Sequence, residues 1–278
     1  MTNLGELHHF LGIEVLRSKH GIFITQESYA KEILKKFRME NANHISTPCV
    51  VRLKLSKHGE GKLVNPTMFR SLVGNLMYLA ATRPDITYVV SLVSRFMDKP
   101  FSNHWETAKR ILRYVKGTLD YDIFYQASVP VNLVGYTDSD LAGSIDDSKS
   151  TSGYVFDLGS GAIAWCSKKQ STIALSTTEA EYIVVSFVGC HLLWLHEIWE
   201  NLKHDKEGPT TLFCDNGSTI SILKDPVLHG KIKHIRIRYH FLRELVNENI
   251  IHVEYCRTNE QKVDIFTKSL GGPTFTKL

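Results

Sequence analysis

Hydrophobic positions in the first part of the chain recur at strand spacing and then at helical spacing. Two apolar runs, residues 10–15 and 21–25, flank a short and mostly polar segment, which predicts a β-hairpin. Apolar side chains recur every three or four positions in residues 26–37, which predicts a helix. A polar stretch broken by Pro and Gly, residues 46–65, predicts a loop, and three further helical stripes follow between residues 69 and 115.

From residue 131 onward the pattern changes to three strands followed by alternating helices and strands. Strands are predicted at residues 131–137, 153–158, 162–166, 211–214 and 250–255. A long helix is predicted to begin at Ser176, where a capping box with Glu179 precedes an apolar stripe. Shorter helices are predicted after Asp215 and at residues 236–246 and 259–270. This order indicates a mixed sheet with flanking helices, so we predict an α/β fold.

Charge is divided unequally between the two halves. Residues 1–130 carry 18 Lys and Arg against 11 Asp and Glu, a net charge of +7, whereas residues 131–278 carry 15 against 18, a net charge of −3. The imbalance suggests a phosphate-binding surface beside a metal-binding one. Candidate nucleic-acid contacts are Lys109, Arg110, Arg113 and Lys116, on a helix predicted to begin at the Asn103 and Glu106 capping box and end at Gly117, and Arg236 and Arg238. The alternative for these side chains is an ordinary solvated helix face.

The composition excludes several other classes of protein. A content of 43% hydrophobic and 22% charged residues is typical of a soluble globular protein. The longest nearly apolar run, residues 183–195, is too short to span a bilayer, so we expect a buried helix and no membrane association. Residues 1–15 lack the pattern of a secretory signal, so we expect an intracellular protein. The five cysteines are widely spaced, so we expect neither a disulfide framework nor a structural zinc site.

Four acids stand where predicted strands end or predicted helices begin, namely Asp138, Glu181, Asp215 and Asp264. Side chains in such positions can converge at one edge of a sheet. Asp138 meets Asp215 only if the first and fourth strands are neighbours, which predicts a sheet with the strand order 3-2-1-4-5. Carboxylate oxygens suit Mg²⁺ or Mn²⁺, and two such ions would activate water and stabilise the leaving oxygen during attack on a phosphodiester.

Several blocks in the second half of the chain are specific enough to recognise. They are GYTDSDLAG (135–143), KSTSGY (149–154), WCSKKQ (165–170), LSTTEAEY (175–182), CDN (214–216), KHI with RYHF (233–241) and DIFTK (264–268). These blocks strongly resemble the ribonuclease H domain of copia-type LTR retrotransposon polyproteins, over nearly all of residues 131–270. The resemblance implies a five-stranded ribonuclease H-like fold. It also implies an enzyme that cuts the RNA strand of RNA/DNA hybrids with two bound Mg²⁺ or Mn²⁺ ions. It places the family's metal ligands on Asp138, Glu181, Asp215 and Asp264.

Residues 1–125 resemble the end of the reverse transcriptase of the same polyprotein. The resemblance rests on LGEL (4–7), FLGIEV (10–15) and YL with TRPDI (78–86). We therefore expect two domains, a mainly helical thumb- or connection-like region at 1–127 and a ribonuclease H domain at 128–278. The upstream polymerase portion of the polyprotein is the expected partner. The sole Asp-Asp pair, Asp146-Asp147, lies in a predicted loop, so we expect no polymerisation by this chain. The resemblance implies a cytoplasmic virus-like particle or the nucleus as its location.

Some assignments stay open at this point. Glu179 and Glu181 compete for one ligand position, and Asp140 competes with Asp138. Arg236 stands where the family commonly has an acid, and residues 256–260 lack the histidine that many ribonucleases H carry before the last carboxylate. The missing histidine bears on the turnover rate. Arg236 and the expected absence of the polymerase core favour an alternative function, a catalytically decayed transposon remnant that only binds nucleic acid. A host interaction protein without nucleic-acid function is a third class, which no feature of the sequence supports.

Overall fold

The computed structural model describes residues 5–203, 208–224 and 236–278, and the side chains of all of these except 236–239. The chain divides into two compact units. The first contains the residues up to Val131 together with Leu158–Ala162 and Lys268–Lys277, and the second is built from Asn132–Asp157 and Ile163–Thr267. The domains expected from sequence, 1–127 and 128–278, stay a prediction, because compactness alone does not show that a segment folds independently.

The first unit contains a four-stranded antiparallel sheet in the order β1-β2-β3-β4. Its strands are β1 (His9–Phe10), β2 (Ile13–Ser18), β3 (Gly21–Thr25) and β4 (Ile123–Gln126). The predicted hairpin is present as β2 and β3, with a tighter turn than expected because β2 continues to Ser18. Strand β4 was not predicted; it pairs with β3, and Phe124 stacks on Phe23 with ring centroids 4.4 Å apart.

Four helices complete most of the first unit. They are α1 (Glu27–Lys36), α2 (Pro66–Leu79), α3 (Thr87–Ser94) and α4 (Ser102–Lys116). The apolar stripes found in the sequence form one core, in which Phe69, Leu72 and Ile111 are fully buried. The predicted capping box of α4 was wrong, because the helix begins at Ser102 and the Phe101 N–H donates to Nδ1 of His104 at 3.1 Å.

The second unit is built on a mixed five-stranded sheet with flanking helices, and only the residues at the turn between its second and third strands, Leu158–Ala162, are grouped with the first unit. Its elements in chain order are β5 (Leu133–Ser139), β6 (Thr151–Leu158), β7 (Gly161–Lys169), α5 (Thr177–Asn201), β8 (Thr210–Cys214), α6 (Gly217–Lys224), α7 (Arg236–Asn247), β9 (Ile251–Tyr255) and α8 (Asp264–Thr267). The strand order is β7-β6-β5-β8-β9, which confirms the predicted order 3-2-1-4-5 with β5 in the centre. Strands β5, β8 and β9 run parallel.

Helix α5 supplies much of the core of the second unit, with Tyr182, Val184, Val185, Val188 and Leu192 fully buried. At 25 residues, α5 is longer than the apolar run noted in the sequence, and it contains an 18-residue window with a mean hydropathy of 1.3. By length and composition this helix could cross a membrane. Half of that window is buried inside the protein, as in the core helices of soluble proteins, so α5 is weak evidence for a membrane span.

The predicted helix at residues 259–270 was wrong as a single element. A 3-10 turn at Thr258–Glu260 is followed by the short α8, and α9 (Gly272–Lys277) belongs to the first unit. The chain leaves helical geometry at Gln261, whose buried side-chain amide donates to the carbonyl of Thr137 at 2.9 Å. The hydrogen bond from Gln261 to Thr137 of β5 therefore interrupts the helix that the apolar spacing predicted to be continuous.

Candidate active site

The ends of the two central parallel strands place two acids side by side. Thr137 of β5 is aligned with Cys214 of β8. Asp138 and Asp215 are the next residues along each strand, so both come to the same edge of the sheet. Asp138 is 2% exposed, whereas Asp215 is partly exposed. The carboxyl edge of parallel strands is the usual position of ligand sites in α/β sheets.

Glu181 lies between these two strand ends, in the first turns of α5. Its Oε1 accepts a hydrogen bond from the Ser139 N–H at 2.8 Å, and its Oε2 accepts one from the Cys214 thiol at 3.8 Å. The side chain is 3% exposed. Within the part of the chain that the structure describes, ligand atoms of Glu181, Cys214 and Asp215 lie within 4.8 Å of one another.

Helix α8, which begins at the fourth acid, contacts the end of β5 through Thr267. The Thr267 hydroxyl donates to Oδ2 of Asp138 and lies 3.5 Å from the carbonyl oxygen of Asp264. The helix packs closely on β6 at Gly153, where an added Cβ would lie only 2.7 Å from the Thr267 side chain and 2.8 Å from that of Val263. The absence of a side chain at Gly153 therefore lets α8 approach the sheet.

The electrostatics of two cysteines reflect the concentration of negative charge. Burial, followed by the charge of Glu181, raises the pKa of the Cys214 thiol, which is therefore protonated and neutral at pH 7. Burial also raises the pKa of Cys256, and the charges of Glu260, Asp215 and Asp264 raise it further. Asp215 and Asp264 thus act on the same thiol, which indicates that both acids lie near it.

The structure separates the competing acids by what each one bonds. Glu179 caps α5, since its N–H donates to Oγ of Ser176 at 3.2 Å and its Oε2 accepts from the Leu175 N–H at 2.9 Å. Asp140 bridges the chain to β6 through a hydrogen bond from the Thr151 N–H to its Oδ1. Of the two glutamates, Glu181 has a ligand atom within 4.8 Å of those of Cys214 and Asp215, whereas Glu179 bonds the start of its own helix. The choice of Asp138 over Asp140 stays a prediction.

Several buried polar residues at the site were not singled out in the sequence. They are Ser139, Gln170, Gln261 and Thr267, each no more than 8% exposed. Their hydrogen bonds join β5 to α5, β7 and α8. For Thr267 a signal was available, because residues three apart on a helix share a face and Thr267 follows Asp264 by three positions.

The basic residues predicted to contact nucleic acid have a different setting. Three side chains of α4 bind a neighbouring segment of the first unit: Arg110 donates to Oγ1 of Thr47 at 2.9 Å, Arg113 to the carbonyl of Asn43 at 2.9 Å, and Lys116 to the carbonyl of Ala42 at 2.8 Å. They remain only partly exposed, as does Lys109. The side chains of Arg236 and Arg238 lie outside the described residues, and their contact with nucleic acid stays a prediction.

A mixed five-stranded sheet in this order, with acids at the ends of its two central parallel strands, defines a ribonuclease H-like α/β domain. No protein-family model matches the chain. The chain is 38% identical over 270 residues to the retrovirus-related Pol polyprotein from transposon RE2 of Arabidopsis thaliana. The alignment covers 97% of this chain and 18% of that protein. The chain is 40% identical over 279 residues to the Pol polyprotein from transposon TNT 1-94 of Nicotiana tabacum, covering 96% of this chain and 21% of that one.

The chain belongs to the Pol polyproteins of copia-type retrotransposons. It spans about a fifth of the length of these curated relatives. Among solved structures, the foamy viral protease-reverse transcriptase dRH in complex with double-stranded DNA is similar in fold, with a TM-score of 0.50 and 12% identity, over 90% of this chain and 37% of that one.

Proposed function

We propose that the second unit is a metal-dependent ribonuclease that cuts the RNA strand of RNA/DNA hybrids. The observation that carries the proposal is the meeting of Asp138 and Asp215 on adjacent parallel strands, with Glu181 hydrogen-bonded to the chain beside each of them. Membership of the Pol family supports this function, since reverse transcription leaves an RNA template paired to new DNA. The upstream polymerase portion of such a polyprotein is the proposed partner.

The residues present fit a site for Mg²⁺ or Mn²⁺. Hard divalent cations prefer carboxylate and water oxygens. Glu181 and Asp215 have ligand atoms within 4.8 Å of each other, and the proposed site adds the carboxylates of Asp138 and Asp264 to this pair. Partial exposure of Asp215 leaves that side open to water and to a phosphodiester. These four acids would hold the metal, which when bound supplies activation of the attacking water and stabilisation of the leaving oxygen.

The chain itself orients the acids. The Ser139 N–H fixes one oxygen of Glu181, so the other oxygen is directed toward β8. The Thr267 hydroxyl holds Oδ2 of Asp138 and so restrains rotation of that carboxylate. Preorganised donors of this kind commonly fix the geometry of metal-binding carboxylates. Because backbone shape and the 2′-hydroxyl distinguish RNA, base-specific contacts are not required for the reaction.

Cleavage of an end-labelled RNA/DNA hybrid by the full 278-residue chain, with and without Mg²⁺ or Mn²⁺, tests the proposal. Asp138→Asn and Asp215→Asn should each abolish cleavage while hybrid binding persists, because each removes a ligand charge but little surface that contacts the backbone. Asp146→Asn is the matched control, since Asp146 is an exposed loop aspartate, and it should cleave as the wild type does. A wild-type chain that binds hybrid without cutting it would support the non-catalytic remnant instead.

A further inference from the structure

A buried glutamine lies directly behind two of the proposed metal ligands. Gln170 follows the last residue of β7 and is 6% exposed. Its backbone N–H donates to the carbonyl of Ser150 at 2.8 Å, which fixes where the side chain starts. Its Nε2 lies within hydrogen-bond distance of three acceptors, Oγ of Ser139 at 3.1 Å, Oγ of Ser152 at 2.9 Å and the carbonyl oxygen of Ala180 at 3.0 Å.

Two of these acceptors are the chain neighbours of site acids. Ser139 is bonded to Asp138 at the end of β5, and Ala180 is bonded to Glu181 in the first turns of α5. Residues 138 and 181 are far apart in sequence, so their separation depends on how α5 sits against β5. The amide of Gln170 contacts both elements at the positions beside the acids, with β6 as a third anchor through Ser152.

The nitrogen and the oxygen of the Gln170 side-chain amide have different surroundings. Nε2 faces all three acceptors with its two hydrogens, so at least one hydrogen is shared between two acceptors, whereas Oε1 is buried without a hydrogen-bond partner among the described residues. Burying an acceptor without a partner costs stability. The Gln170 amide therefore holds three acceptors at the cost of burying its own oxygen without a hydrogen bond. Such a cost is expected where the positions of the bonded groups matter.

We infer that Gln170 is a positioning residue, whose amide holds Asp138 and Glu181 at the separation required to share divalent metal ions. The inference rests on the proposed function and adds a residue that touches neither metal nor substrate. Groups that orient metal ligands typically change metal affinity or activity by about 10- to 100-fold when removed. Loss of the Gln170 donor should therefore weaken metal binding first, and cleavage as a result of it.

The test uses the full chain without hybrid and measures metal binding directly. Electron paramagnetic resonance monitors a titration with Mn²⁺, and calorimetry measures the binding of Mg²⁺. Gln170→Met keeps the length of the side chain and removes the donor. We expect the dissociation constant for the metal to rise about 10-fold or more. With hybrid present at a fixed subsaturating metal concentration, kcat should fall while the KM for the hybrid stays unchanged, since only 6% of Gln170 is exposed.

Gln26→Met is the matched control. Gln26 is an equally buried glutamine of the first unit, 3% exposed and hydrogen-bonded to Thr82 at 2.9 Å. Its replacement should lower the unfolding temperature and leave metal affinity unchanged. If Gln170→Met does not fold, Ser139→Ala removes one acceptor of the same amide and should weaken metal binding by a smaller factor.

The outcomes separate this inference from the proposed function. Wild-type metal affinity in a folded Gln170→Met chain, or in folded Ser139→Ala where Gln170→Met fails to fold, overturns the positioning role. A fall in unfolding temperature without a change in metal affinity does the same, because it shows a purely structural role. Failure of the wild type to cleave hybrid overturns the proposed function, whatever the variants do.

Discussion

Glu179 and Glu181 offer a direct test of the site, because they are the same residue type two positions apart in one helix. Glu181 bonds the ends of β5 and β8, whereas Glu179 bonds Leu175 and Ser176 at the start of α5. We expect Glu181→Gln to abolish cleavage and Glu179→Gln to retain it. Both substitutions keep the shape of the side chain and remove one negative charge, so the comparison isolates position.

The magnitudes follow from the contacts. In Glu181→Gln the new amide oxygen can still accept the Ser139 N–H, so folding should be nearly preserved, but the loss of a charged metal ligand costs several kcal/mol of transition-state stabilisation. At about 1.4 kcal/mol per tenfold, this is a fall in rate on the order of 10³-fold. Glu179→Gln converts a charge-assisted bond to the Leu175 N–H into a neutral one, at a cost of about 1 kcal/mol. That cost corresponds to a fall of about 2–4 °C in the unfolding temperature.

The assay is single-turnover cleavage of a labelled hybrid in saturating Mg²⁺, paired with thermal unfolding of each variant. The metal dissociation constant, measured without hybrid, should rise for Glu181→Gln alone. The opposite pattern, in which Glu179→Gln loses cleavage while folded Glu181→Gln retains it, would refute the reasoning and make Glu179 the ligand. Equal loss in both folded variants would show that the negative charge of the helix terminus matters, and that one specific carboxylate does not.

Three further predictions concern other parts of the molecule. Gly153→Ala places a Cβ within 2.7–2.9 Å of side chains on and beside α8, so it should cost about 1–3 kcal/mol of stability by overpacking and lower cleavage, as unfolding and single-turnover measurements will show. Lys109→Ala should reduce the salt dependence of hybrid affinity by about one unit of log-log slope if α4 contacts phosphates, whereas Arg113→Ala, which loses its bond to the carbonyl of Asn43, should mainly lower the unfolding temperature. The hydroxyl of Ser144 and then Lys169 lower the pKa of Asp147 from 3.8 to about 2, so its contribution to stability is present above pH 4 and lost as the pH falls toward 2. Asp147→Asn should therefore reduce the drop in unfolding temperature over that range, and an unchanged drop would show that Asp147 is not responsible.

The sequence by itself determined which segments are helices and strands over most of the chain, because spacing records which face of an element is buried. The stripes of α2 and the long helix α5 are confirmed, although α5 extends beyond the apolar run used to predict it. The strand order was predictable as well. It followed from one requirement, that Asp138 and Asp215 meet, and only neighbouring strands satisfy it.

Tertiary structure alone decided the features that depend on contacts between distant segments. Gln261 interrupts the last helix by bonding Thr137, 124 positions earlier, and strand β4 exists because β3 offers it a free edge. Gln170 reaches across 31 positions to Ser139, and nothing in the local spacing of apolar residues marks it. Periodicity encodes one buried face of each element, whereas a polar side chain inside the fold is placed by the partners that the assembled sheet and helices bring to it.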